Sequence, residues 1–246
     1  MGSIGSNLQE VKRRIATACV RAGRAENIVT FAGDTAAAQA VVLIAVSKTF
    51  PIAAIREAHA AGQLAFGENY VQEALPKIEA LTDAEPAIEW HLIGPLQSNK
   101  TRVAAERFDW VHTVDRLKIA QRLAEQRPPG LSPINLCLQV NVSGESSKSG
   151  VAPEELPALA RAVAGLPADR VRLRGLMAIP EPAADLAAQR APLRRLAELQ
   201  RALCAGGLAL DTLSMGMSAD LEAALAEGAT MLRIGSAIFG GRTPQR

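Results

Sequence analysis

Short apolar runs alternate with amphipathic stretches along most of the chain. Eight runs end in small or polar residues: VVLIAVSK (41–48), LAFGEN (64–69), EWHLIG (89–94), WVHTV (110–114), INLCLQVNV (134–142), VRLRGLMAI (171–179), DTLSMG (211–216) and MLRIGS (231–236). Continuous apolar runs of this length suit strands buried on both faces of a parallel sheet. Between them lie helical patterns at 51–62, 70–81, 99–108, 116–127, 153–165, 185–207 and 220–228. Pro51 sits at a first helical turn, Gly62 and Gly228 at C-terminal stops, and Asp220 near a start. A further helix is expected over 7–22, with Leu8, Val11, Ile15 and Ala18 on one face and Gly23 at its end. The segment 27–40 has no firm period and reads as a loose connection, disordered at 33–39.

About eight strand-helix units in one chain of 246 residues favour a closed (β/α)8 barrel, an α/β TIM-barrel domain with an extra N-terminal helix. A doubly wound open sheet is the alternative. No Pro/Ser/Gly linker divides the chain, so one domain is expected over 1–246, with residues 1–40 preceding a barrel over 41–246. Aromatic residues are only 3% of the total while 48% are hydrophobic, so the core must be aliphatic. The net charge of +2 and the lack of a charge run give no reason to expect nucleic acid. Three dispersed cysteines, Cys19, Cys137 and Cys204, form no disulfide framework, and Cys137 reads as a core residue. With no signal-peptide pattern and no apolar run of about 18 residues, a cytoplasmic protein without membrane contact is expected.

In such a barrel, chemistry belongs at the strand C-termini. Two signals stand out there. SMGMSADLEAAL (214–225) and RIGSAIFGG (233–241) place small residues before helix starts on the last two strands, where an anion can approach backbone N–H groups. Arg233 adds a positive charge beside them. Tight-turn glycines would account for either segment alone; together they favour a phosphate cup. Lys48 ends the first strand, where its ammonium needs a partner, solvent, or chemistry. An ion pair with Glu68, a cofactor-free Schiff-base lysine and a lysine bound to pyridoxal 5'-phosphate all stay open from position alone.

LIAVSKTFP, FGENYVQEALPKI, EWHLIGPLQSNK, VHTVDRLKIAQRL, NVSGESSKSGV, LRGLMAIP and LSMGMSADLEAALAEGATMLRIGSAIFG resemble, in order, the YggS/PROSC family of pyridoxal-phosphate homeostasis proteins. The similarity runs from the first helix to Gly240. It implies a fold-type III barrel like the N-terminal domain of alanine racemase, with pyridoxal 5'-phosphate (PLP) as a Schiff base on Lys48. It also implies phosphate contacts at Ser214, Gly235 and Ser236, and Arg233 near either the pyridine nitrogen or the phosphate. Asn69 would line the cofactor, with Met177 on the barrel wall. The segment 30–40 departs from the family, which is usually shorter there.

A racemase needs acid-base groups on both faces of its substrate. The single tyrosine, Tyr70, reads as a packing or rim residue, and His91 and His112 as satisfied interior residues without metal-ligand spacing. A non-catalytic carrier of PLP is therefore expected, buffering the cofactor or delivering it to apo PLP-dependent enzymes, as a monomer or weak dimer. A weak amino-acid racemase is the alternative. Lys100 and Lys148 lie on loops where they compete for the aldehyde or remain solvated surface residues.

Overall fold

The computed structural model describes residues 2–25, 28–29, 40–144 and 149–241. Nine parallel strands form one sheet among these residues: β1 (Ile28–Val29), β2 (Val41–Val46), β3 (Ala65–Glu68), β4 (Glu89–Leu92), β5 (Trp110–Val114), β6 (Ile134–Gln139), β7 (Val171–Met177), β8 (Thr212–Ser214) and β9 (Met231–Ile234). Neighbours in sequence are neighbours in space, and β9 pairs back onto β2 through Val42 to Ala45. This closes eight strands into the expected barrel. The ninth strand is a correction: β1 falls inside the segment read as a loose connection. It pairs with Val41 and Val42, below the point where β3 joins β2 at Ala45. Two residues are too short a run for a period to show. The segment 33–39 and Lys148 lie outside the described residues.

Helices follow the strands: α2 (Ile52–Ala60), α3 (Val71–Ala80), α4 (Thr101–Arg107), α5 (Leu117–Gln126), α6 (Leu156–Ala164), α7 (Leu186–Ala205), α8 (Leu221–Ala226) and α9 (Ser236–Phe239). The N-terminal helix α1 spans Ile4–Arg21, starting three residues earlier than its apolar stripe suggests, because the Ser3 side chain caps the Ser6 amide. Leu8, Val11, Ile15 and Ala18 are buried as the stripe requires. Arg14 of α1 grips Glu222 of α8 through two bonds of 2.6–2.7 Å, and its Nη1 reaches the Ser218 carbonyl at 2.9 Å. Asn7 donates to the Ile238 carbonyl at 2.9 Å. The extra helix thus braces the turns after β8 and β9 from outside.

The alternation of side chains along each strand divides the core in two. Outward residues such as Val41, Leu43 and Ala45 pack under the helices. Val42, Ile44, Ala65, Trp110, Cys137, Met177 and Met231 fill the barrel interior. No disulfide joins Cys19, Cys137 and Cys204, and burial pushes Cys137 up to about 12, keeping it a neutral interior residue. No helix among the described residues is long and apolar enough to cross a membrane.

Candidate functional site

The same alternation builds the cleft at the barrel mouth. Val42, Ile44 and Val46 face inward on β2, and the next residue in that parity is Lys48. On β9 the inward set runs Met231, Arg233, Gly235. Val46, Lys48, Arg233 and Gly235 line a cavity of about 330 Å³, with Phe50, Asn69, Ile93, Ile179, Met217, Ser218, Ala219, Ser236 and Gly240 completing its wall. Five of the seven expected cofactor residues therefore meet: Lys48, Asn69, Arg233, Gly235 and Ser236. Met177 and Ser214 do not line it. Both are fully buried: Met177 lies one inward position below Ile179 in the apolar interior, and the Ser214 hydroxyl is occupied by Arg233 and His112. At the β8 turn the lining residues are instead Met217 and Ser218.

Strand β2 ends at Val46, and a turn closed by Phe50 N–H to Ser47 C=O at 3.0 Å carries Lys48 inside it. Thr49 takes a left-handed φ of 66°, uncommon for a β-branched residue. Two groups hold this turn from below. The Ser47 hydroxyl donates to Glu68 Oε1 at 2.6 Å, and Lys77 donates to Glu68 Oε1 at 2.8 Å and to the Ser47 carbonyl at 3.0 Å. Glu68, the suggested ion-pair partner of Lys48, thus pairs with Lys77. Lys77 lies on the buried face of α3 beside Ala74 and Ile78, a position that helical periodicity alone would assign to an apolar residue.

Beside Lys48, on the two strands that follow round the barrel from β2, two turns offer backbone donors. Among the described residues, no protein acceptor takes the amides of Ser218, Ala219 or Ser236. Gly216 has φ 94°, and a Cβ there would stand 2.5 Å from the Ala224 Cβ, so glycine is required for α8 to approach the turn. The Gly216 carbonyl in turn accepts from the Arg233 amide at 3.0 Å. Gly235 packs directly on β2: a Cβ would lie 3.2 Å from the Val46 carbonyl oxygen. The Asp220 carboxylate turns back onto the Met217 amide at 2.6 Å. Burial lowers the Arg233 guanidinium to about 10, with Asp220 and Cys137 opposing, so it is cationic at neutral pH. The lining combines one amine, one fixed guanidinium, open amides and apolar side chains, which suits a small planar anion carrying a carbonyl.

Tyr70 caps the start of α3 and is largely solvent-exposed, matching the rim position expected for it. Lys100, at the start of α4, is outside the cleft lining. His91 and His112 are interior, as read. Their bonds to one another and to Ser214 were not foreseen, although Glu89/His91 and Trp110/His112 each repeat at the two-residue interval of one strand face.

The model of the alanine racemase N-terminal domain matches residues 25–243. The pyridoxal phosphate homeostasis protein of Pseudomonas aeruginosa is 61% identical over 242 residues, covering 98% of this chain and 97% of that protein. Its namesake in Escherichia coli is 50% identical over 243 residues, covering 98% of each. Among solved structures, PipY of Synechococcus elongatus without PLP superposes with a TM-score of 0.81 at 40% identity, covering 96% of this chain and all of that one. The same protein with PLP bound gives 0.79 at 38% over the same share of each chain. A barrel closed by β2 and β9, a strand-end lysine facing anion-ready turns, and these full-length similarities agree: the chain belongs to the pyridoxal phosphate homeostasis protein family, built on the alanine racemase N-terminal domain.

Proposed function

We propose that this protein binds pyridoxal 5'-phosphate in the cleft at the barrel mouth and serves its homeostasis in the cytoplasm, buffering the cofactor or delivering it to apo-enzymes. The observation that carries this reading is the placement of Lys48 and the open amides of Ser218, Ala219 and Ser236 on the wall of one 330 Å³ cavity. That volume lies at the small end of ligand sites, which span about 300–1,000 Å³. When bound, the cofactor supplies an aldehyde at one side and a phosphate at the other. Lys48 holds the aldehyde carbon as a Schiff base, with loss of one water. The turns at Ser218 and at Gly235–Ser236 hold the phosphate through backbone N–H groups, and Asn69 and Arg233 orient the ring. Ser214 and Met177 act from beneath: Ser214 fixes Arg233, and Met177 supports the apolar floor.

Binding without turnover is favoured by what lines the cavity. Among the described residues, its titratable groups are Lys48 and Arg233, whereas racemisation needs a second acid-base group on the opposite face of the substrate. The protein acts as a monomer or weak dimer, with PLP-dependent apo-enzymes as recipients.

Borohydride reduction of the PLP-loaded protein followed by peptide mass spectrometry tests the assignment. The label is expected on Lys48, and Lys48→Ala should abolish the near-visible absorption. A label on another lysine, or none, refutes it. Rapid Cα deuterium exchange of single-enantiomer amino acids in deuterated water would instead establish an enzyme.

A further inference from the structure

A line of buried polar groups crosses the barrel interior below the cleft. Trp110 Nε1 donates to Glu89 Oε1 at 3.1 Å, and His91 Nε2 lies 3.0 Å from Glu89 Oε2. His91 Nδ1 is 3.0 Å from His112 Nε2, and His112 Nδ1 is 2.8 Å from Ser214 Oγ. Arg233 Nη1 donates to that same Oγ at 2.7 Å, while its Nη2 donates to the Ala178 carbonyl at 2.9 Å. All of these side chains are buried, and Glu89 opens β4 at the end of the barrel away from the mouth.

Donor chemistry sets the direction of this chain. A guanidinium only donates, so the Ser214 hydroxyl proton cannot go to Arg233. Among the described residues its remaining partner is His112 Nδ1, which must therefore accept. The proton of neutral His112 then sits on Nε2 and donates to His91 Nδ1. His91 carries its own proton on Nε2, facing the Glu89 carboxylate. One order of donation satisfies every member. Consistently, burial, with His91 and Arg233 adding to it, holds His112 well below the usual imidazole range.

Beside this line lie the apolar Val42, Ile44, Ala65, Cys137, Met177 and Met231, while Arg174 stacks over the Trp110 ring at 5.0 Å and donates to Asn135 Oδ1 at 3.1 Å. An apolar filling would avoid desolvating five polar groups. The polar line ends on the one guanidinium of the cleft wall among the described residues. We propose that Glu89, His91, His112 and Ser214 are positioning residues that act through Arg233, a one-directional relay by which a carboxylate remote from the cleft sets the affinity and spectrum of the cofactor bound there. This rests on the PLP reading above.

The test begins with the full-length apo-protein labelled with ¹⁵N-histidine. Long-range ¹H–¹⁵N spectra at neutral pH should show His91 and His112 both neutral and protonated at Nε2. A proton on Nδ1 of either ring, or a doubly protonated ring, overturns the relay. Glu89→Gln then replaces one acceptor by a donor facing Trp110 or His91. It should change the tautomer of at least one ring, raise the Kd for PLP about tenfold and shift the absorption of the bound cofactor, with far-UV circular dichroism unchanged. His112→Ala should weaken PLP about tenfold, and His112→Asn, which restores a partner near Nδ1, should recover affinity to within about threefold. If His112→Ala does not fold, wild-type tautomers and Glu89→Gln decide. Wild-type protein that binds no PLP overturns the cofactor reading and the relay's role with it. Wild-type protein that binds, with Glu89→Gln unchanged in affinity and spectrum, overturns the relay alone.

Discussion

Replacing Lys77 by methionine isolates the support beneath Lys48. Lys77 and Glu68 are 9% and 0% exposed and 2.8 Å apart, so solvent screens their attraction little. Methionine keeps most of the buried stem and removes the ammonium. Glu68 then retains the Ser47 hydroxyl at 2.6 Å, while its Oε2 already has no partner among the described residues. Removing one member of a buried ion pair costs about 3–5 kcal/mol, because the other is left uncompensated. Against a total stability of about 5–15 kcal/mol, that is a large share. Adding Glu68→Gln removes the stranded charge while preserving an acceptor for Ser47. The double variant should therefore be more stable than Lys77→Met, with a coupling energy of about 1–3 kcal/mol. Equilibrium urea unfolding, followed by the fluorescence of Trp90 and Trp110, measures both, provided the m-value is unchanged. The Ser47 carbonyl also loses its ammonium donor, so the turn bearing Lys48 should loosen and borohydride trapping on Lys48 should slow. A single variant less than about 1 kcal/mol below wild type, or a double variant no better than the single, refutes this account.

Acidification should destabilise the fold before carboxylates titrate. His112 is held well below its ordinary 6.5, so below about pH 6.5 the unfolded chain takes a proton that the folded one refuses. Stability should thus fall with pH by up to about 1.4 kcal/mol per unit between pH 6.5 and 5, and His112→Asn should flatten that part of a Tm-against-pH curve. Gly216→Ala should cost about 2 kcal/mol or more, from the left-handed φ and the contacts at 2.5 Å and 2.8 Å with Ala224 and Leu232; urea unfolding reads the loss, and a neutral result would refute the close-approach argument. Arg14→Ala should change stability by less than about 1 kcal/mol, since its pair with Glu222 is partly exposed. It should nevertheless weaken PLP binding several-fold in a fluorescence titration, because Arg14 also holds the Ser218 carbonyl.

Much of this architecture is written in periods. The eight apolar runs became the eight barrel strands because a strand covered on both faces must be apolar throughout. The two-residue alternation on β2 and β9 already aims Lys48 and Gly235 inward, and small residues before α8 and α9 mark turns that an anion can approach. Family resemblance supplied the identity of the cofactor and the choice among readings of Lys48, which no period carries. What tertiary structure alone decided is pairing at a distance. Lys77 takes Glu68 across 9 residues, His112 takes Ser214 across 102, and Arg14 takes the Ser218 carbonyl across 204. Each of these polar groups lies on or beside an element whose local pattern cannot announce its partner. Burial makes an unpaired group costly; the packing of α3 back on β3 sets the Lys77–Glu68 pair, and closure of the barrel brings Ser214 and Ser218 within reach of His112 and Arg14.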